Sequence, residues 1–148
     1  MSLLSRKALL AVAAVIDVAL HARGQLVSAK DLAARHALPA RHLEPVLQAL
    51  VREGILKGVR GPRGGYELAR ERRRITVNDI LKAAGTSEDD GETIEPGSSL
   101  LEQMVAPAIA QAEKAFVAAL SKITVEELAR RAEPFATESG KSYRELPA

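Results

Sequence analysis

Two stretches of this chain read as β-strands, Ile55-Leu56-Lys57-Gly58-Val59 and Tyr66-Glu67-Leu68, and six residues, Arg60-Gly61-Pro62-Arg63-Gly64-Gly65, separate them. The economical reading is one β-hairpin with a glycine-rich tip. The segments around it repeat with helical period, so the expected fold is mainly α with a small β-hairpin.

Leu9, Val12, Ala13, Ile16, Ala19 and Leu20 recur at three- and four-residue intervals, which predicts a first helix with one buried stripe that ends near Gly24. Ser28 opens a second, short helix with the capping spacing Ser28-Ala29-Lys30-Asp31 and turns Leu32 and Ala33 inward. Pro39 suits the start of a third helix running through Leu43, Val46, Leu47, Leu50 and Val51 to Gly54. Pro45 removes a hydrogen bond inside that helix, so a bend or a late start is expected, with Arg41, His42 and Glu44 displayed on the distorted first turn. After the hairpin, Thr76-Val77-Asn78-Asp79 repeats the capping spacing and starts a fourth helix through Ile80, Leu81 and Ala84.

From Gly85 to Ser99 the composition turns to Gly, Ser, Thr, Pro and acid, with Glu88, Asp89, Asp90, Glu92 and Glu95, as expected of a linker loop. Beyond it, Leu101, Met104, Val105, Ala108, Ala112, Ala115, Phe116, Ala119 and Ile123 hold a helical stripe interrupted by Pro107. A stripe that long needs a partner surface. Thr124-Val125-Glu126-Glu127 caps a last short helix, with Leu128 inward, that stops near Pro134. The expected division is residues 1–84 as a head, 85–99 as an acidic linker, 100–133 as a long helix plus a short one, and 134–148 as a loosely ordered tail.

Helix, short helix, third helix, hairpin, helix is the order of a winged helix-turn-helix, whose third helix enters the DNA major groove while the hairpin tip reaches the neighbouring backbone or minor groove. The charge agrees. The net charge of the 148 residues is only +2, but residues 1–84 hold 15 Lys/Arg against 7 Asp/Glu, or +8, and the rest hold 6 against 12, or −6. Between Arg52 and Arg74 stand eight Lys/Arg and three Glu, so the wing is the most basic part of the chain. Glycines at 61, 64 and 65 allow close backbone approach, Pro62 stiffens the turn, and Arg60 and Arg63 project from it, a combination suited to the minor groove and to phosphates.

The run Val59-Arg60-Gly61-Pro62-Arg63-Gly64-Gly65-Tyr66-Glu67-Leu68-Ala69, preceded by His42-Leu43-Glu44 and Gly54-Ile55-Leu56-Lys57, resembles the signature of the Rrf2 family of bacterial transcription regulators, of the IscR, NsrR and CymR type. Asp17-Val18-Ala19-Leu20, Ile75 to Ile80 and Ile123 to Leu128 extend the resemblance to about Arg131. It implies a homodimeric winged-helix repressor or activator on a palindromic operator, with the long helix crossing to its partner. Carried over by position, Arg60 enters the minor groove, Gly61, Pro62, Arg63, Gly64, Gly65 and Tyr66 form the wing tip, and Arg41, His42 and Glu44 meet base edges or phosphates. Ser28, at a helix start, is a further phosphate candidate. The dimer helix presents Leu101, Met104, Val105, Ala108, Ala112, Phe116, Ala119 and Ile123.

Three departures stand out. The cluster-binding members carry three cysteines before the long helix, and this sequence has no cysteine at all, which excludes an iron–sulfur sensor of that type. Pro45 stands where the family often has glutamine, so base preference should differ. Lys7-Ala8-Leu9-Leu10 replaces the family's Lys-Gly-Arg-Tyr and removes an arginine and a tyrosine, so the family's backbone contacts are not carried over there.

Other chemistries find little support. His21, His36 and His42 fall on different elements without ligand spacing, so no metal or other cofactor is expected. The glycine-rich loop lacks the Gly-Lys-Ser/Thr ending of a nucleotide cradle and precedes a strand rather than a helix. The adjacent acids Asp89 and Asp90, or Glu126 and Glu127, are explained by solvation and capping, so no enzyme is expected. With Tyr66, Phe116, Phe135 and Tyr143 as its aromatics, the chain lacks the stacking platforms of RNA binders. The most apolar stretch, Leu9 to Leu20, contains Asp17 and is too short to span a membrane; the expected location is the cytoplasm. The partners expected are double-stranded DNA and a second copy, with a small-molecule effector or a partner protein as input. The competing reading is a protein-interaction module that kept the same fold.

Overall fold

The computed structural model describes residues 3–22, 24–85, 97–134 and Tyr143. The acidic run Glu88 to Glu95 and the rest of the tail lie outside the described residues.

Among the described residues, six α-helices and one hairpin follow in the expected order. They are α1 (Arg6–His21), α2 (Ala29–His36), α3 (Ala40–Arg52), β1 (Leu56–Val59), β2 (Gly65–Leu68), α4 (Val77–Ala84), α5 (Ala106–Leu120) and α6 (Val125–Ala132). A 3-10 turn at Arg72–Arg74 precedes α4, and a π turn at Leu101–Val105 leads into α5.

The helix starts follow their caps. Ser5, Ser28, Thr76 and Thr124 each accept a hydrogen bond from the amide three residues on, and the Thr76 amide in turn donates to the Asp79 carboxylate. The starts of α4 and α6 are also tied to each other: the Val77 amide donates to Ile123 and the Val125 amide to Ile75, both at 2.8 Å.

The core lies beneath the helix-turn-helix, where Leu32, Leu43, Leu47, Leu50, Ile55, Leu56, Ile75 and Ile80 are fully buried. Helix α1 runs through its middle, in contact with α3, α4, α6 and β2. This shifts the buried positions of α1 from those the periodicity suggested. Ala8, Ala11, Ala14, Val15 and Val18 are buried without remainder, while Leu9 is 46% exposed and Val12, Ala13 and Ile16 are half-buried. A helix covered from several sides has no single stripe, and alanines on its covered sides let its neighbours approach closely.

Two prolines are accommodated differently. Helix α3 starts at Ala40, with Pro39 as its N-cap, and continues past Pro45, so of the bend or late start expected from Pro45 the late start does not occur. Pro107 sits in the first turn of α5, directly after the π turn, in which the Ala106 amide reaches back five residues to Leu101. The wider turn accommodates a ring that would otherwise press on the carbonyl four residues back.

The short helix α6 belongs with the head rather than with the long helix, because Val125 and Ala129 are part of the main core. Helix α5 differs from the other described α-helices: it and the π turn before it contain no buried residue.

Candidate nucleic-acid interface

Helix α3 and the hairpin enclose a groove of about 640 Å³, lined by Ala29, Gln48, Val51, Arg52, Val59, Arg60 and the backbone of the wing. No acidic side chain lines it. On α3 the exposed residues Arg41, Glu44, Gln48 and Arg52 follow at three- and four-residue steps, so they share one face of the helix. Gln48 and Arg52 were not singled out from the sequence, although their spacing from Glu44 carried the signal.

The hairpin is antiparallel, with Leu56 opposite Leu68, Lys57 opposite Glu67, Gly58 opposite Tyr66 and Val59 opposite Gly65. A second tie fixes it to the segment before α2, where the Tyr66 amide donates to the Val27 carbonyl at 2.7 Å and the Val27 amide to Tyr66 at 3.0 Å. This contact explains the glycines differently from the sequence reading, which gave them to close approach by another surface. A Cβ on Gly65 would stand 2.6 Å from the Val27 carbonyl oxygen, and one on Gly64 would stand 2.2 Å from that of Val59. Both glycines therefore serve the wing's own folding, and Gly61, at φ 128°, supplies the turn.

Arg60, Gly61, Pro62 and Arg63 form the exposed tip. Tyr66 is half-buried and packs on the core with its ring beside Gly58, so it braces the wing from behind the tip. Among the described residues, Arg41, Arg52, Arg60 and Arg63 have no ion-pair partner, whereas Lys57 approaches Glu67 and Arg73 and Arg74 approach Glu71. The Ser28 hydroxyl receives the Asp31 amide at 3.1 Å as the cap of α2. Arg41, His42 and Glu44 all lie exposed on the first half of α3.

Behind this surface lies a polar cluster that the sequence did not reveal. The Asp17 side chain is fully buried in α1 and takes a two-point contact from Arg35 of α2, Nε to Oδ2 at 2.9 Å and Nη2 to Oδ1 at 2.6 Å. His36 Nε2 lies 3.2 Å from Oδ2, His21 Nδ1 lies 3.3 Å from Oδ1, and the Tyr143 hydroxyl donates to Oδ2 at 2.7 Å. The Tyr143 ring also meets His36 edge-on, at 4.8 Å between centroids.

Burial by itself would raise the Asp17 pKa, but the close approach of His36, the hydrogen bonds from Arg35 and Tyr143 and the Arg35 charge hold it well below the ordinary carboxylate range. Burial and the Asp17 carboxylate together push the Tyr143 phenol well above its usual value. Two histidines that looked scattered in sequence thus converge on one carboxylate. Among the described residues, no group of His, Asp and Glu is arranged to hold a metal ion.

The face expected to pair with a second copy is open. Leu101, Met104, Val105, Ala108, Ala112 and Ala119 are exposed and Phe116 is half-buried. Ile123, beyond the end of α5, instead packs with its own chain's Ala8, Val77 and Leu81. Ile109 and Val117, absent from the predicted stripe, are 55% and 42% exposed.

A family model described as Rrf2, iron-dependent transcriptional regulator, matches residues 4–131. The chain is 37% identical over 86 residues to the HTH-type transcriptional regulator IscR of Xenorhabdus nematophila, a match covering 58% of this chain and 52% of that protein. It is 35% identical over 126 residues to a Synechocystis sp. protein named as an HTH-type regulator, slr0846, covering 84% and 86%. The chain thus spans about half the length of the first curated relatives it matches. Among solved structures, T. potens IscR superposes with TM-score 0.69 at 30% identity, covering 92% of each chain. CymR, the global cysteine regulator of B. subtilis, superposes with TM-score 0.67 at 27% identity, covering 88% of this chain and 98% of that one. The iron in the family description finds no thiolate here, because the sequence has no cysteine, so the residues present do not fit a cysteine-held cluster.

Proposed function

The chain belongs to the Rrf2 family of transcriptional regulators, and from that premise we propose that it is a DNA-binding repressor that acts as a homodimer on a palindromic operator in the cytoplasm. Each recognition helix α3 lies in a major groove and presents Arg41, His42, Glu44 and Gln48. Each wing tip places Arg60 in the adjacent minor groove, with Arg63 and the backbone of Gly61, Pro62, Gly64 and Gly65 along the phosphates. Ser28, at the start of α2, lies in range of the same backbone. The head comprises residues 1–84 with α6 packed on it, residues 85–99 link it to the long helix, and α5 pairs with its counterpart. A bound dimer covers promoter DNA and blocks its use.

The observation that carries this reading is the acid-free groove between α3 and a wing whose tip arginines have no ion-pair partner among the described residues, together with a helix whose apolar residues are uncovered. Footprinting on the intergenic DNA beside its own gene tests it. A protected palindrome, with binding that weakens steeply as salt rises and is reduced by Arg60→Ala, is the expected result. Binding to a protein partner that is insensitive to Arg60 and Arg63, with no protected DNA, favours an interaction module of the same fold.

A further inference from the structure

Between the first turns of α1 and α3 lies an open groove of about 800 Å³, within the size range of small-molecule sites. Its floor is aliphatic, made by Leu9, Leu10, Leu38 and Val46, and no aromatic ring other than the His42 imidazole lines it. Its rim carries Arg6, Lys7, Arg41 and His42, with no acid among the lining residues. None of the four has an ion-pair partner among the described residues, in contrast with Arg35, Arg130 and Arg131. Helix α3 also begins beside this rim without a side-chain cap, because Pro39 has no side-chain acceptor and only its carbonyl takes an amide of the first turn, that of His42 at 3.0 Å, unlike the starts of α1, α2, α4 and α6 with Ser5, Ser28, Thr76 and Thr124. Unpaired cations and the positive end of a 13-residue helix thus stand over an apolar trough.

We propose that this groove binds an amphipathic monocarboxylate with an aliphatic body, of the medium-chain fatty acid class. The carboxylate meets Arg6, Lys7, Arg41 and the uncapped amides of α3, and the chain lies along Leu9, Leu10, Leu38 and Val46. A small inorganic anion would leave that floor wet, and an apolar molecule without charge would leave the rim unpaired. Arg41 and His42 also belong to the surface assigned to DNA, so a bound acid competes with the operator. That consequence rests on the DNA-binding reading; the binding itself does not.

The test titrates the full-length protein with decanoate below its micellar concentration, followed by amide spectra, with decan-1-ol and decylamine as controls. Decanoate is expected to shift amides from Arg6 to Ala13 and from Leu38 to Val46, and to bind at least ~10-fold more tightly than either control. Leu9→Trp, at an exposed position, should fill the trough and abolish decanoate binding. Should that variant fold poorly, the pair Arg6→Glu and Lys7→Glu should turn the preference toward decylamine. Saturating decanoate should weaken operator binding by about tenfold in the native protein and not in Leu9→Trp. Shifts confined to α5 or elsewhere, equal binding of decylamine, or Leu9→Trp binding as the native chain does would overturn the site. Groove binding with unchanged operator affinity would overturn the competition. A protein that binds no DNA even without decanoate defeats the DNA reading alone, since the spectral titration still decides the groove.

Discussion

The head and helix α5 are built from the same kind of residue and treat it in opposite ways. In the head, leucines and isoleucines such as Leu32, Leu47, Ile75 and Ile80 are sealed from water. In α5 and its π turn, Leu101, Met104, Val105, Ile109 and Val117 are all exposed by 40% or more. The difference lies in how many layers surround each helix. Helix α1 is enclosed by four elements of its own chain, whereas α5 has a few contacts with α4 and none that buries it. The head buries its own apolar residues, while those of α5 stay uncovered among the described residues, which is the surface the proposed pairing would use.

The strongest way to break this contrast is to attack the head where it is most self-contained. Asp17→Asn leaves Arg35 buried beside a neutral partner and should cost about 3–5 kcal/mol in urea unfolding. The acid limb of stability should change with it. The folded carboxyl titrates well below the unfolded value of about 3.9, so its contribution is complete above about pH 4 and is lost as pH falls further. The Asn variant should show a shallower loss there, and an unchanged acid limb would remove Asp17 from the account.

Leu47→Ala should cost about 2–5 kcal/mol by opening a cavity beneath the recognition helix, equally at every protein concentration. Ile109→Glu addresses the other region: mass by light scattering should fall from dimer to monomer while the head's helical signal persists. A dimer that survives this change places the pairing surface elsewhere. Arg60→Ala belongs to neither core and should cost about 1–3 kcal/mol in operator affinity with no change in unfolding. Tyr143→Phe, which removes one hydrogen bond to Asp17, should cost about 1 kcal/mol, read most clearly by faster hydrogen exchange at the C-terminal end of α2.

Local signals in the sequence translated directly into structure. Ser28, Thr76 and Thr124 cap where their spacing places them, and the hairpin stands within one residue of its expected bounds. These features depend on neighbours a few positions away. What the sequence hid depends on distant ones. Tyr143 reaches Asp17 across 126 positions, and Arg35 reaches it across 18. The glycines of the wing illustrate the same limit: their presence was legible, but only the fold shows that Val27, far upstream, is what Gly65 must clear. In α1 the expected stripe is buried at Ala19 and Leu20 but not at Leu9, Val12, Ala13 and Ile16, because periodicity reports burial only where one side of a helix is covered. In the candidate interface, the tip arginines and the start of α3 were legible from charge and order, while Gln48 and Arg52 emerged once β1 closed the groove beside them.

The π turn before Pro107 sets an angular offset along the long helix. One additional residue per turn rotates everything after it by about 100° relative to an uninterrupted α-helix. Leu101 and Met104 are therefore aimed in a different direction from the one that continuous winding would give them relative to Ile109 and Phe116. Pro107 thus acts as a phase marker: replacing it with alanine would let the helix rewind, and the two halves of its apolar surface would be re-aimed with every leucine, isoleucine, valine and methionine of that surface still in place.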